Sequence, residues 1–342
     1  MTPAGDASTG GQPHDALFRL IFTDPENAGS ELRSVLPPDL AAHINFDNLV
    51  LQEGTFIDEN LRHRQTDVLF TTTVNDSDAY LYLLIEHQSR PDPLMAFRML
   101  RYQVRIWERH LDRHPAESGT EPLPLIIPVV VYQGKRRWTA PTDLAALLSI
   151  DDSLAVAAAH VVPHFCYLLD DLTVLDDADL RARPLSVAAR ITFVFLTHAP
   201  DDPDAVRWLR NWSDHIVQLD RRRLEALFQY LVTVSPTQVQ DVVEYATAVG
   251  AEAEEAAMNT AEVLRAEGRA EGRAERQQEV LTQGRGEGRA GLLTEQLIFK
   301  FGELDANTRH RIEHATAEQI SEWSARLISG ADSLDDVLLP ES

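Results

Sequence analysis

The first part of the chain alternates helix-like and strand-like patterns of apolar residues. Apolar positions three and four apart predict a helix over 15–22 with Asp15 as its N-cap, then a second helix that ends at Pro37-Pro38 and a short third one. Short apolar runs predict strands at 49–56, 67–74, 79–86 and 124–132. A longer amphipathic stretch from Asp92 to about His110 predicts a helix. The order α-β-β-β-α-β predicts an α/β fold with a mixed sheet and helices on its faces.

The second part of the chain is mostly helical in pattern. Stretches such as RPLSVAARITFVFLTH and RRRLEALFQYLVTV predict a helical lobe, and a four-residue EGRA repeat predicts a solvated, fraying helical spacer or a weak coiled coil. The last segment is amphipathic again and predicts a small module of three or four helices. The predicted organisation is a disordered leader at 1–13, a core with its extension at 14–182, the lobe at 183–250, the spacer at 251–291 and the module at 292–342.

Composition and charge narrow the function classes. The 342 residues carry 54 acids against 31 bases, a formal net charge of −23, which excludes a generally basic nucleic-acid coat. Any polyanion must therefore bind through local basic patches. A single cysteine, Cys166, excludes an intramolecular disulfide and a cysteine-rich zinc site. The N-terminus lacks the pattern of a signal peptide, and the longest apolar stretch, 123–132, is too short to span a bilayer, so we expect a cytoplasmic protein without a membrane partner.

Two acids interrupt the central hairpin at the same end. A four-residue turn over 75–78 would pair Val74 with Ala79, and the same register would put Asp67 directly opposite Glu86. Facing carboxylates repel each other, and a divalent cation would remove that repulsion. From spacing alone, two acids at solvated strand ends explain the pattern equally well.

Two carboxylates with water are a suitable ligand set for Mg²⁺ or Mn²⁺. A cation in this position would polarise a phosphoryl oxygen and lower the pKa of a bound water. Gln88 would lie on the same face as Glu86. Its amide could hold a water or a phosphate oxygen, but it carries no charge and cannot act as a general base.

Four stretches of the chain resemble the PD-(D/E)XK nuclease superfamily and its YhgA-like branch, the recombination-promoting nucleases. They are PHDALFRLIFTDPENA, LQEGTFIDENLRHRQTDVLF, YLYLLIEHQSRPDPLMAFRMLRYQVRIWERHL and LPLIIPVVVYQG, and they cover about residues 13–138. IEHQS followed by MAFRMLRY is specific to the branch. The resemblance implies a restriction-endonuclease-like αβββαβ core and metal-dependent cleavage of DNA, linked to recombination or mobile DNA.

The resemblance also assigns roles to individual residues. Asp67 takes the place of the motif acid and Glu86 that of the second acid. Gln88 stands where most of the superfamily has lysine; it agrees with the branch, but a charge-stabilising cation is lost. Three more acids are candidates for the active site: Asp15, which is either a helix cap or an active-site acid, Glu53 and Asp58.

Two groups of cations are candidates for nucleic-acid binding. In the helix after Gln88, the spacing of Phe97, Leu100, Val104, Trp107 and Leu111 predicts a core face. Beside it runs an arginine stripe, of which we assign phosphate contacts to Arg98 and Arg101, while Arg105 and Arg109 fit a solvated face equally well. The second group, Lys135, Arg136 and Arg137, follows the last strand and precedes Trp138, which could stack on a base.

The leading hypothesis is a Mg²⁺-dependent DNA endonuclease with Asp67, Glu86 and Gln88 at its active site. A homodimer would provide two sites for two nicks, and the helical C-terminal region would contact a protein partner. The alternative is a module that keeps the nuclease fold, without catalysis, to bind nucleic acid or protein. The high acidity and Gln88 keep that alternative open.

Overall fold

The computed structural model describes residues 13–52, 67–75, 77–86, 91–114 and 122–339. The chain divides into two compact units, residues 1–261 and residues 262–342. The predicted leader at 1–13 lies outside the described residues except for its last residue, Pro13, which begins the first helix.

Three helices open the first unit: α1 (Pro13–Phe22), α2 (Pro25–Val35) and α3 (Pro38–Ala41). The break predicted at Pro37-Pro38 is confirmed. The prediction that Asp15 is an N-cap is wrong, because α1 begins two residues earlier and Asp15 lies in its first turn. Its charge there still suits the positive end of the helix dipole. Asp24 caps the next helix, since its carboxylate accepts the backbone N–H of Glu26 at 3.0 Å.

A five-stranded mixed sheet forms the centre of the unit. Its strands are β1 (Val50–Leu51), β2 (Asp67–Val74), β3 (Ser77–Glu86), β4 (Leu125–Tyr132) and β5 (Leu168–Asp171), in the spatial order β1-β2-β3-β4-β5. β2 is antiparallel to both of its neighbours, β1 and β3, and β4 and β5 continue in parallel from β3. The α/β class, the mixed sheet and its central strands are confirmed, whereas β5 was not predicted.

The hairpin of β2 and β3 has a tighter turn than the sequence suggested. Val74 pairs with Ser77, so only residues 75 and 76 connect the strands. Asn75 has φ of 49°, the left-handed conformation that two-residue hairpin turns require and that asparagine tolerates. The predicted register, with Val74 opposite Ala79, is therefore wrong by two residues. Asp67 pairs with Leu84 rather than with Glu86.

The helix that follows β3, α4 (Met95–Arg113), matches the predicted core face only in part: Leu100 and Trp107 pack against the core, but most of the buried residues are others. Its buried residues are Met95, Ala96, Met99, Tyr102, Gln103 and Ile106. Phe97, Val104 and Leu111, which were assigned to the core, are exposed by 52%, 41% and 37%. Both faces carry apolar residues at helical spacing, so periodicity alone could not identify the one that packs on the sheet.

Seven more helices complete the first unit: α5 (Asp152–Ala158), α6 (Asp177–Ala182), α7 (Val187–His198), α8 (Ala205–Asn211), α9 (Ser213–Ile216), α10 (Arg221–Val234) and α11 (Val239–Val249). Residues of α7, α10 and α11 share one hydrophobic core with α1, α2 and one face of the sheet. The helices of residues 183–250 therefore belong to the same hydrophobic core as the sheet. The opposite face of the sheet packs on α4 in a smaller core.

The long helix α12 (Ala251–Phe301) runs unbroken for 51 residues through the EGRA repeat. Three shorter helices follow it in the second unit: α13 (Ala306–Glu313), α14 (Ala317–Ile328) and α15 (Leu334–Val337). They close a small core around Leu297, Ile312 and Trp323, each of them nearly inaccessible to solvent. Among the described residues, no helix combines the length and the apolar character that crossing a membrane requires.

A buried ionic network joins α2 to β5 beside the larger core. Arg183 donates to Glu31 Oε2 at 2.8 Å and to Asp170 Oδ2 at 2.9 Å, and its Nε contacts Ser34 Oγ at 3.2 Å. The side chain of Glu31 is inaccessible to solvent. Burial, and next the charge of Asp170, raise the pKa of Glu31 well above its ordinary value.

We expect Glu31 to make the free energy of unfolding depend on pH. Replacing Glu31 should remove that dependence. An acid whose pKa is higher in the folded chain binds more protons folded than unfolded, so its contribution to stability falls as the pH rises above 4.5. We expect wild type to lose stability relative to Glu31→Gln by up to about 1.4 kcal/mol per pH unit until the folded-state pKa is passed. Urea unfolding of both proteins as a function of pH measures this difference.

Glu26→Gln is the matched control, because Glu26 lies exposed in the first turn of the same helix. Its difference from wild type should show no comparable slope. Parallel stability curves for wild type and Glu31→Gln would contradict the raised pKa.

Candidate active site

The corrected register still places the two motif acids on one face and at one end of the sheet. Asp67 begins β2 and pairs with Leu84, and Glu86 ends β3 two residues further on. Residues two apart on a strand share a face, so position 86 is the diagonal neighbour of position 67. Diagonal neighbours across an antiparallel pair are about 7–8 Å apart, a distance that two carboxylate side chains can bridge through one cation.

This face is the one that packs on α4. Leu69 and Tyr82, which share the periodicity of positions 67 and 86, are buried in the core under α4. Val68 and Phe70 point to the opposite core, beneath α1 and α7. Positions 67 and 86 therefore continue this face at the end of the sheet where β3 ends.

The C-terminal ends of β4 and β5 lie at the same end of the sheet as Glu86. Glu86 pairs with Tyr132, and Tyr132 pairs with Asp171, which puts an acid two strands away on the same face. Two strand spacings amount to about 9.6 Å, too far for Glu86 and Asp171 to share one cation directly. The carboxylate of Asp171 accepts the backbone N–H groups of Trp138 at 2.9 Å and of Thr173 at 3.0 Å.

Asp171 was missed because β5 has only four residues, LLDD, with no clear strand pattern. The sequence signal that could have found it is the Asp-x-Thr spacing, in which the side chain of Asp171 also accepts the hydroxyl of Thr173 at 2.6 Å. Through these hydrogen bonds Asp171 fixes the backbone that follows β4, at Trp138, and the backbone that follows β5, at Thr173.

Several of the predicted site residues lie outside the part of the chain that the structure describes. These are Gln88, Glu53 and Asp58, and at Asp67 and Glu86 the backbone alone is described. Among the side chains that are described, no group of three or more His, Cys, Asp and Glu is placed to hold a metal ion. Asp15 belongs to α1, which packs on the opposite face of the sheet from positions 67 and 86.

The backbone arrangement fits a divalent cation. Positions 67 and 86 provide two carboxylates on one face at diagonal spacing, and carboxylate oxygens are the ligands that Mg²⁺ and Mn²⁺ prefer. The residues that would hold the cation are therefore the same two that the sequence indicated.

Arg98 holds the beginning of α4 at this end of the sheet. Its Nη1 donates to Asp92 Oδ2 at 2.8 Å, and the other oxygen of Asp92 accepts the backbone N–H of Leu94 at 2.9 Å. The guanidinium also lies 5.8 Å from the ring centre of Tyr102, and 14% of the side chain is exposed. These contacts suit a residue that fixes residues 92–94 before α4 better than one that reaches out to DNA.

The basic segment Lys135–Arg137 follows β4 at the same edge of the sheet. It is anchored on both sides: Gln133 donates to the carbonyl oxygen of Leu196 at 2.7 Å, and the backbone N–H of Trp138 donates to Asp171. Between the anchors, Arg136 and Arg137 are exposed. Lys135 Nζ lies 2.7 Å from Asp201 Oδ2, and this contact lowers the pKa of Asp201.

Trp138 is partly buried beside the end of β4. Its ring packs edge-on against Tyr132, with centres 4.8 Å apart, and its indole N–H donates to the carbonyl oxygen of Ala140 at 2.7 Å. These contacts pack the ring against the end of β4, and stacking of Trp138 on a base stays a prediction. Arg101 is exposed on α4, on the same face as Phe97 and Val104.

Comparisons with known proteins identify relatives of the chain. It is 34% identical over 171 residues to the recombination-promoting nuclease RpnD of Escherichia coli O157:H7, covering 49% of this chain and 62% of that protein. It is 40% identical over 123 residues to the recombination-promoting nuclease RpnC of Escherichia coli K12, covering 36% and 39%. It is also 32% identical over 237 residues to RpnE of the same strain, named an inactive recombination-promoting nuclease-like protein, covering 67% and 73%.

The chain thus spans 62% and 39% of the lengths of RpnD and RpnC. No solved structure matches it. The family described as "Putative transposase, YhgA-like" matches residues 12–226, a range that contains the whole sheet, α4 and the basic segment. The chain belongs to this YhgA-like family.

Proposed function

We propose that the protein is a metal-dependent DNA endonuclease that hydrolyses phosphodiester bonds and is associated with recombination or mobile DNA. The observation that carries the proposal is the register of β2 and β3, which gives positions 67 and 86 one face and one end of the sheet. Relatives named recombination-promoting nucleases support it.

Each residue of the site has a role in this proposal. Asp67 and Glu86 hold Mg²⁺ or Mn²⁺, and Gln88 orients a water or a non-bridging phosphate oxygen through its neutral amide. When bound, the cation supplies Lewis-acid stabilisation of the charge that develops on the phosphate. Arg98 holds Asp92 at the beginning of α4.

DNA would bind along the edge that carries the basic segment. Arg136 and Arg137 are exposed between two anchored residues, so little conformational entropy of the backbone is lost when a phosphate binds. Lys135 is paired with Asp201 in an exposed contact that a phosphate can replace at small cost. Local cations are required because the protein as a whole repels DNA.

Replacing both arginines should weaken DNA binding and its dependence on salt. We expect Arg136→Ala/Arg137→Ala to reduce the slope of log affinity against log salt concentration by about 1.8, since each phosphate contact contributes about 0.9. Fluorescence anisotropy with labelled duplex DNA, in EDTA at several salt concentrations, measures the slope.

Arg33→Ala is the control for this measurement. Arg33 stacks on Phe46, close to where Asn45 bonds the backbone of Thr73, so it lies at the other end of the sheet. An equal loss of slope in both proteins would contradict a DNA contact at residues 136 and 137.

One experiment tests the proposed activity itself. Purified protein is incubated with supercoiled plasmid in Mg²⁺, in Mn²⁺ and in EDTA, beside Asp67→Ala and Glu86→Ala. We expect nicking with either cation, none in EDTA, and none with either variant. Undiminished nicking by both variants would exclude these residues as the active site.

A second candidate function is a nuclease-fold module that binds DNA or protein without cutting. The observation that favours it is the match over 237 residues to a relative named inactive. This candidate predicts plasmid binding by wild type without nicking in any divalent cation, and equal binding by Asp67→Ala. The same plasmid experiment, read by gel shift and by nicking, therefore separates the two functions.

A further inference from the structure

Helix α4 carries a second apolar face that nothing in the proposed nuclease mechanism uses. The face continues from Leu94, just before the helix, at spacings of three and four; its members are Leu94, Phe97, Arg101, Val104, Glu108 and Leu111. At 100° per residue the helical members fall within an arc of about 80°, on the side away from the buried face. We call these six residues the α4 stripe.

The stripe is open to solvent. Leu94 is exposed by 58% and Phe97 by 52%, and Val104 and Leu111 by 41% and 37%. Single exposed apolar residues are ordinary on protein surfaces, but four in register along one helix make a continuous surface of the kind that binds another helix. The opposite face of α4 is already packed against the sheet.

We propose that the α4 stripe is a dimer interface that binds the α4 stripe of a second copy in antiparallel orientation. The reason is that the stripe is complementary to itself. With a two-fold axis at Val104, Phe97 lies opposite Leu111 of the second copy. Arg101 lies one residue, about 1.5 Å along the helix, from the position opposite Glu108 of the second copy, close enough for the two long side chains to meet. The same pairs recur on the other side of the axis, as a two-fold interface requires.

Charge determines the orientation. A parallel pair would place Arg101 beside Arg101 and Glu108 beside Glu108, whereas the antiparallel pair matches opposite charges at both positions. Within one chain Glu108 makes a long, exposed contact of 3.5 Å with Arg105. Such a pair contributes little and is readily exchanged for a partner across the interface.

The dimer should be reversible. One helix face buries less than the roughly 1,200 Å² that stable complexes reach, so association will depend on protein concentration. Arg101, for which the sequence suggested a phosphate contact, has an acid of the second copy as its partner in this arrangement. Because α4 begins beside the edge that holds positions 67 and 86, the antiparallel pair would put the two edges at opposite ends of the interface.

Charge reversal in the full-length protein tests the pairing directly. Sedimentation velocity over a range of concentrations gives the dimer dissociation constant for wild type, Arg101→Glu, Glu108→Arg and the double variant. Each single reversal places like charges together twice, and we expect it to raise the dissociation constant about tenfold or more. The double variant restores both pairs and should return to within about threefold of wild type. Wild type that stays monomeric, or a double variant no better than the singles, would overturn the proposal.

Crosslinking tests the position of the axis. In a background where the exposed Cys166 is replaced by serine, Val104→Cys should crosslink to itself through a short bismaleimide. Val156→Cys in the same background is the control for random encounters, because Val156 is 77% exposed on α5. Equal crosslinking at both positions would also overturn the proposal and leave the stripe to a different partner. Neither experiment depends on nuclease activity, so failure of the proposed function would not affect its result.

Discussion

Asp67→Asn and Glu86→Gln are each expected to reduce plasmid nicking on the order of a thousandfold. Each substitution keeps the shape of the side chain and removes one of the two carboxylate charges that would hold the cation. The cation contributes several kcal/mol of transition-state stabilisation, and each 1.36 kcal/mol corresponds to a factor of ten in rate. Initial rates of nicking under a saturating concentration of Mg²⁺ measure the loss.

DNA affinity in EDTA should be nearly unchanged in the same variants, because the proposed phosphate contacts are made by Arg136 and Arg137. Asp78→Asn is the matched control: Asp78 is exposed on β3, and its pair Thr73 lies at the far end of the hairpin from Asp67. We expect it to cleave as wild type does. A loss of activity in Asp78→Asn equal to that in Asp67→Asn would point to general damage to the hairpin rather than to a cation site.

Arg183→Met is expected to destabilise the protein by about 3–5 kcal/mol. The guanidinium is the shared partner of Asp170 and of the solvent-inaccessible Glu31, within 2.9 Å of both. Removing the cation leaves two neighbouring acids without compensation, which is the costly way to break a buried ion pair. Glu31, whose pKa is already raised by burial, can respond by taking up a proton, so the loss should be smaller at lower pH.

Chemical denaturation of wild type, Arg183→Met and Arg183→Lys measures the effect, and thermal unfolding serves if the first variant is too unstable. Arg183→Lys keeps the charge but cannot reach both acids and Ser34 together, so it should lie between the other two. Arg33→Met, which breaks an exposed pair with Asp47, should cost about 1 kcal/mol or less. Equal losses for Arg33→Met and Arg183→Met would contradict the buried network.

The local elements of the sheet could be predicted from the sequence because their residues repeat at the period of a strand. The bounds of β2 were predicted correctly, and the hairpin was wrong only in its turn, by two residues. A two-residue error preserves the face of every side chain, which is why positions 67 and 86 stay together. A one-residue error would have separated them.

Two features of the fold, the buried face of α4 and the strand β5, depend on tertiary packing and could not be predicted from the sequence pattern. Helix α4 has apolar residues on two opposite faces, and the choice of Met95, Met99 and Ile106 for the core depends on the shape of the sheet beneath them. β5 is too short to show a period, and it is stabilised by pairing with β4 and by the contacts of Asp170 and Asp171. Both features depend on residues distant in sequence.

The central claim is that Asp67 and Glu86 together hold one divalent cation. Titration of the protein with Mn²⁺, followed by electron paramagnetic resonance of the free ion, counts bound cations without requiring any cleavage. We expect one site in wild type and in Asp78→Asn, and a weakening of that site by at least about tenfold in Asp67→Asn/Glu86→Gln. Binding of Mn²⁺ to the double variant with the affinity and stoichiometry of wild type would contradict the claim.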